Sequence, residues 1–158
     1  MRIALLALIL VLPILSWAAE LSGRVVGVTD GDTVTLLAAG NVQEKIRLSG
    51  IDAPEKGQPY GEASKQALSG LVYGKDVVVD WAKRDRYGRI VGKVLVDGRD
   101  ACLDQARAGL AWHFKRYENE QSPEDRVSYA AAEVASRAAR VGLWADPAPM
   151  APWDWRKR

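Results

Sequence analysis

Leu21-Ser22-Gly23-Arg24-Val25-Val26-Gly27-Val28-Thr29-Asp30-Gly31-Asp32-Thr33-Val34-Thr35-Leu36-Leu37 is the stretch whose reading decides the fold. Residues 21–29 are rich in Val. Over residues 32–37, Thr33 and Thr35 alternate with Val34 and Leu36, the two-residue period of a half-buried strand. Between the runs, Thr29-Asp30-Gly31-Asp32 supplies a turn, because an Asp-Gly pair accepts the positive φ of a tight hairpin. A third strand is expected over residues 42–49, with Ile46 and Leu48 on one face and Lys45 and Arg47 on the other. Gly50-Ile51-Asp52-Ala53-Pro54-Glu55 leaves it, and Pro54 prevents its continuation.

Working outward, residues 61–72 place Ala63, Ala67, Leu68 and Leu71 on one helical stripe. Two more strands, residues 76–82 and 89–96, flank the charged turn Asp85-Arg86-Tyr87-Gly88. A short helix over residues 101–108 stops at Gly109. Ser122-Pro123-Glu124-Asp125 then opens a longer helix, with an N-cap Ser and a first-turn Pro. Val127, Ala131, Val134, Ala138 and Val141 recur along it at helical spacing, and Gly142 ends it. Five short strands and about three helices predict an α+β fold, a partly open OB-type barrel backed by helices.

The chain has 158 residues, 48% of them hydrophobic and 27% charged, which suits one globular domain and excludes a disordered or collagen-like chain. With one Cys and one His there is neither a disulfide framework nor a Cys/His zinc module. Cys102 is expected to be a small buried hydrophobe, and His113 structural or solvated. A net charge of +2 is too small to argue for nucleic acid by itself. Residues 1–18, a single Arg before an apolar run and then Ser16-Trp17-Ala18, have the layout of a secretory signal peptide. Cleavage after Ala18 would leave 21 basic against 20 acidic side chains in an exported, periplasmic or secreted protein without stable membrane association. The expected organisation is a leader (1–18), one domain (19–145) and a Pro/Trp-rich tail (146–158). That tail is expected to be non-helical, with its tryptophans packed on the domain and its closing Arg-Lys-Arg solvated.

Asp32 and Asp52 each stand at a strand end, where a barrel can bring them to one rim, with Glu55 within reach. Two or three carboxylates plus a backbone carbonyl and water make a hard-cation site suited to Ca²⁺. Arg47 and Arg89 supply planar forks able to grip phosphate oxygens. A cation, a carboxylate and two guanidinium groups together match phosphodiester hydrolysis.

Asp-Gly-Asp-Thr (30–33), Arg-x-x-x-x-Asp-x-Pro-Glu (47–55) and Asp-x-Tyr-Gly-Arg (85–89), in this order, resemble the staphylococcal (micrococcal) nuclease family. The resemblance extends to Arg107-x-Gly109-Leu110-Ala111 and Gly142-Leu143-Trp144. It implies an OB-fold, Ca²⁺-dependent endo- and exonuclease that cuts DNA and RNA to 3′-phosphate and 5′-hydroxyl ends. Carried onto this sequence, Asp32, Asp52 and the carbonyl of Ala53 would ligate calcium, with Asp30 beside the metal. Glu55 would assist the attacking water, and Arg47 and Arg89 would be the catalytic arginines. Arg86, Tyr87, Lys115 and Tyr117 would contact substrate, Lys115 standing where the type member has a tyrosine. A monomer that prefers single strands is expected. The rival readings are a non-catalytic OB module that binds single strands or a protein partner, and a metal-binding structural domain.

Overall fold

The computed structural model describes residues 19–158, so the expected leader lies outside the described residues. In chain order the elements are β1 (Ala19–Asp30), β2 (Thr33–Ala38), β3 (Val42–Leu48), β4 (Ile51–Asp52), α1 (Gly61–Val72), β5 (Asp76–Arg84) and β6 (Ile90–Val96). They continue with β7 (Arg99–Asp100), α2 (Ala101–Arg107), β8 (Trp112–His113), α3 (Pro123–Ala138) and α4 (Pro152–Trp155).

Strands β3, β2, β1, β5 and β6 lie side by side in that order, all antiparallel. A parallel seam between β3 and β6 closes them into a barrel, with Ile46 opposite Ile90, Arg47 opposite Val91 and Leu48 opposite Gly92. The fold is the expected OB-type α+β barrel. Strand β1 makes the curvature: its pairing with β2 shifts register between Val25 and Gly27 and again between Val28 and Asp30, and such bulges bend a strand. Alternation does the rest. Val34 and Leu36 of β2, Ile46 and Leu48 of β3, and Ile90 and Val94 of β6 point into a core from which water is excluded.

Helix α1 covers one side of that core with Leu68 and Val72. Helix α2 is capped by Asp100, whose Oδ1 accepts the backbone N–H groups of Cys102 (2.9 Å) and Leu103 (3.1 Å). The other oxygen of Asp100 accepts the hydroxyl of the buried Tyr129 at 2.7 Å, which ties α3 to the start of α2. Cys102 is buried as expected, and desolvation pushes its thiol well above the ordinary range, so it is an inert core residue.

Four expectations are corrected. The turn between β1 and β2 holds only Gly31 and Asp32, and neither has positive φ. Glycine is required there for room, because a Cβ on Gly31 would run into Ser64 Oγ of α1 and the Ala53 side chain. On α1 the buried stripe is Gly61, Ser64, Leu68 and Val72, while Ala63 is exposed. On α3 the stripe of Val127 and Val134 faces solvent, these residues being 71% and 66% exposed. The buried face is Tyr129, Ala132, Glu133 and Ser136. An alanine-rich helix leaves two candidate stripes, and the one with the large aromatic and a bonded carboxylate won over the one with two valines. Last, the tail does form a helical turn: Pro152 sits at the first position of α4, where a missing N–H costs nothing.

Candidate active site

The turn that carries Asp30 and Asp32 is fixed from three sides. Asp30 Oδ1 accepts the N–H of Asp32 at 3.1 Å, closing an Asx turn. Gln105, fully buried on α2, donates from Nε2 to the carbonyl of Gly31 (2.9 Å) and to the Ser64 carbonyl (2.9 Å). Asp32 in turn accepts the Ala53 N–H on Oδ2 at 2.7 Å and the Thr33 hydroxyl on Oδ1 at 3.2 Å. The hairpin tip and the segment after β3 are therefore one unit.

Strand β4 brings Asp52 to the same place. Its two residues pair with β8, Asp52 opposite Trp112 and Ile51 opposite His113, a pairing that the sequence did not reveal. Arg47, at the end of β3, then staples the corner. Its Nη1 donates to the carbonyls of Leu48 (2.6 Å) and Ile51 (2.9 Å), and its Nη2 lies 3.0 Å from Asp52 Oδ1 and 3.2 Å from Asp32 Oδ2. Both aspartates are almost wholly buried. Arg89, just before β6, donates from Nε to Asp85 Oδ2 at 2.8 Å and from Nη1 to Thr33 Oγ1 at 3.5 Å. Burial alone would raise the Asp85 carboxyl. The bonds from Arg89 and from the N–H groups of Arg89 and Tyr87 outweigh it and hold the group below the ordinary range.

Glu55 hangs at the edge, about one-third exposed. Its backbone is held by Gln58, whose Oε1 accepts the Glu55 N–H at 2.9 Å while its Nε2 donates to the Met150 carbonyl at 2.7 Å. Its carboxylate accepts Nη1 of Arg156, from the tail. The same guanidinium grips Asp52, Nη2 to Oδ2 at 2.7 Å and Nη1 to Oδ1 at 3.2 Å. This corrects the expectation of a solvated Arg-Lys-Arg, since Arg156 is bonded to Asp52 and Glu55. Arg156 reaches into the centre of the site because Trp153 and the buried Ala151 and Pro152 seat the tail on the domain.

Asp30, Asp32, Arg47, Asp52, Ala53, Glu55 and Arg89 all line one open cleft of about 1570 Å³. A small-molecule pocket is typically about 300–1000 Å³, so this volume suits a segment of polymer. The four expected substrate contacts sit on its walls. Tyr87 is 67% exposed, with the Arg86 guanidinium 4.8 Å from its ring centre and bonded to its hydroxyl. Tyr117 meets Phe114 edge-on at 5.2 Å, and Lys115 is paired with the buried Glu133 at 2.8 Å. His113 is buried and bonded through Nε2 to Gln121, a structural role.

Three functional residues escaped the sequence reading: Gln58, Gln105 and Arg156. Gln105 had a signal, an amide at a buried register position between Cys102 and Ala106. Gln58 and Arg156 had none, since Gln58 ties Glu55 to Met150, 92 residues on, and Arg156 reaches Asp52, 104 residues back.

Electrostatically the centre is short of positive charge. Burial pushes the Asp32 carboxyl up to about 7; Arg47 opposes this, while Asp30 and Asp52 reinforce it. The folded chain therefore keeps a proton that an unfolded chain, with its ordinary carboxyl near 3.8, gives up. Stability from this group is present below pH 4 and is lost as pH rises to about 7. Urea unfolding in calcium-free buffer should show, for wild type against Asp32→Asn, an extra downward slope approaching about 1 kcal/mol per pH unit within that window. A rising or flat difference between the two chains would contradict this.

Among the described residues, no three Asp, Glu, His or Cys side chains are gathered closely enough to hold a metal ion by themselves. Two carboxylates, a backbone carbonyl and water need no such trio. The donor set is all oxygen, and the proton-holding Asp32 leaves room for more positive charge, so the residues fit a hard divalent cation.

Comparison with known proteins places this geometry. A sequence model described as staphylococcal nuclease homologue matches residues 45–146. A protein of Haemophilus influenzae named uncharacterized endonuclease is 38% identical over 99% of this chain and 86% of its own length. Another of that name from Escherichia coli is 42% identical over 94% of this chain and 95% of its own. The micrococcal nuclease of Shigella flexneri is 35% identical over 99% and 92%. With a barrel whose rim gathers the acids and arginines of the three motifs, and with these relatives along almost its whole length, the chain belongs to the staphylococcal nuclease family.

Proposed function

We propose that this nuclease-family protein is a Ca²⁺-dependent phosphodiesterase that hydrolyses DNA and RNA, single strands in preference, to 3′-phosphate and 5′-hydroxyl ends. One observation carries the reading. A continuous line of contacts runs from Arg89 through Thr33, Asp32, Arg47 and Asp52 and then, bridged by Arg156, to Glu55 at the rim of an open cleft. That line holds the residue types needed for attack on a phosphodiester: two planar cations, a buried acidic pair and a peripheral carboxylate.

Asp32, Asp52 and the Ala53 carbonyl would hold calcium, with Asp30 buttressing Asp32 from behind. The ion, when bound, supplies fixed positive charge to the phosphoryl group. Arg47 of β3 and Arg89, just before β6, would stabilise charge that grows on the non-bridging phosphoryl oxygens in the transition state. Glu55 accepts a proton from the incoming water as its oxygen bonds to phosphorus in line with the departing 5′-oxygen. The P–O5′ bond breaks, the 5′-oxygen takes up a proton, and the phosphate stays on the 3′ side. Tyr87 and Tyr117 offer ring faces to splayed bases, and Arg86 and Lys115 contact the flanking phosphates. A rim-level cleft of this size admits a flexible strand more readily than a stiff duplex.

The protein is proposed to be an exported monomer, periplasmic or secreted, on the strength of residues 1–18. No described helix is long and apolar enough to cross a membrane. Residues 19–158 should digest denatured DNA in Ca²⁺ and stop in chelator, leaving 3′-phosphates. Glu55→Gln should keep strand affinity while losing cutting. Cutting that persists in chelator would overturn the metal assignment, and tight binding without any cutting would favour a binding module.

A further inference from the structure

Arg156 comes from none of the three motifs, yet it is the guanidinium seated between Asp52 and Glu55. Both oxygens of Asp52 are taken by its guanidinium in a two-pronged contact, and Glu55 is taken by the same Nη1. Such forks are the strong form of ion pair. Asp52 is 1% exposed, so the contact is made largely out of water.

The tail is built to deliver this group. Trp153 stacks on Phe114, the rings 5.6 Å apart and 12° from parallel, and meets Trp112 edge-on at 5.4 Å. Gln58 holds the Met150 carbonyl at the tail's entry, and the Arg156 N–H closes α4 on the Pro152 carbonyl at 3.0 Å. The Arg156 side chain is 43% exposed, against 14% for Arg47. It can swing into solvent without disturbing the barrel.

Charge decides what happens when a divalent cation arrives. Asp52 and Glu55, the two carboxylates that Arg156 holds, carry two negative charges against the one positive charge of its guanidinium. A divalent ion in place of Arg156 matches the two, whereas an ion added beside Arg156 sets three positive charges against them. Both also need the same oxygens of Asp52.

We propose that Arg156 is an internal competitor for the cation seat, a latch that neutralises Asp52 and Glu55 until a divalent ion displaces it. It thereby sets the site's metal affinity and keeps Glu55 from water in the metal-free protein. This rests on the calcium reading of the site.

Isothermal calorimetry of residues 19–158 with CaCl₂ at neutral pH, without substrate, separates the two. Arg156→Gln should bind Ca²⁺ about tenfold or more tightly than wild type, since nothing has to be expelled. Trp153→Ala, which loosens the anchor and leaves Arg156 in the chain, should shift affinity the same way by less, and it takes over the test if Arg156→Gln does not fold. Equal affinity in variant and wild type, or weaker binding by Arg156→Gln, overturns the latch while leaving the calcium reading intact. Absence of calcium binding in every chain overturns the calcium reading and the latch with it.

Discussion

Arg47→Gln should lower the rate of single-strand hydrolysis by about 10²–10³-fold, the range for deleting one donor aimed at developing charge. It should also destabilise the calcium-free protein by about 3 kcal/mol, because it strips a cation from two buried carboxylates that remain behind. The environment of Arg47 explains the double penalty. Its Nη2 is shared between Asp32 and Asp52, and its Nη1 satisfies the carbonyls of Leu48 and Ile51, so its loss removes a brace of the corner along with the proposed phosphate contact. Arg89→Gln is the informative contrast. Arg89 is partnered by Asp85 in a pair 28% and 19% exposed, outside the acidic centre. Its loss should lower the rate comparably and cost less than about 1 kcal/mol. Urea unfolding beside steady-state kinetics on both variants reads the two quantities separately. Equal stability losses in the two variants would refute the staple role, and unchanged cutting by either would remove that arginine from the chemistry.

The largest effect away from the site should come from Leu68→Ala. Leu68 is fully buried, the middle contact of α1 with the barrel. Truncating a buried Leu leaves a cavity that the surroundings only partly fill, at about 2–5 kcal/mol. For a chain of this length that lowers the melting temperature by roughly 4–20 °C. Val134→Ala, on the stripe of α3 that periodicity alone would have buried, should change stability by less than about 0.5 kcal/mol. Thermal unfolding by circular dichroism tests both, and a Val134 effect as large as that of Leu68 would put the sequence-derived face back in the core.

How much of this could be read from the chain alone depended on distance along it. The hairpin, the alternating strands and the three charged motifs are local patterns, and Asp30, Asp32, Arg47 and Asp52 follow from backbone geometry within a few residues of each. The face of α3 was misread because Ala, Val and Ser at helical spacing carry too little contrast to choose between two stripes. Glu133 and Tyr129 were settled by partners on other elements, His113 and Asp100. The β4–β8 pairing and the Gln105 brace on Gly31 depend on contacts about 60 to 74 residues apart. Arg156 is the extreme case. A basic residue three from the end reads as solvated by any local rule, and only the docking of Trp153 turns it toward Asp52.

The parallel seam between β3 and β6 gives the chain an order of assembly. Asp32, Arg47, Asp52 and Glu55 all precede β5, but nothing closes the barrel around them until β6 can lie against β3. Arg89 comes just before that same strand, and Arg156 follows later still, with α4. A ribosome making this protein therefore exposes the acidic half of the site well before the half that completes it. The nascent chain has no assembled centre until β6 is in place, and the segment that covers the acids emerges after that closure.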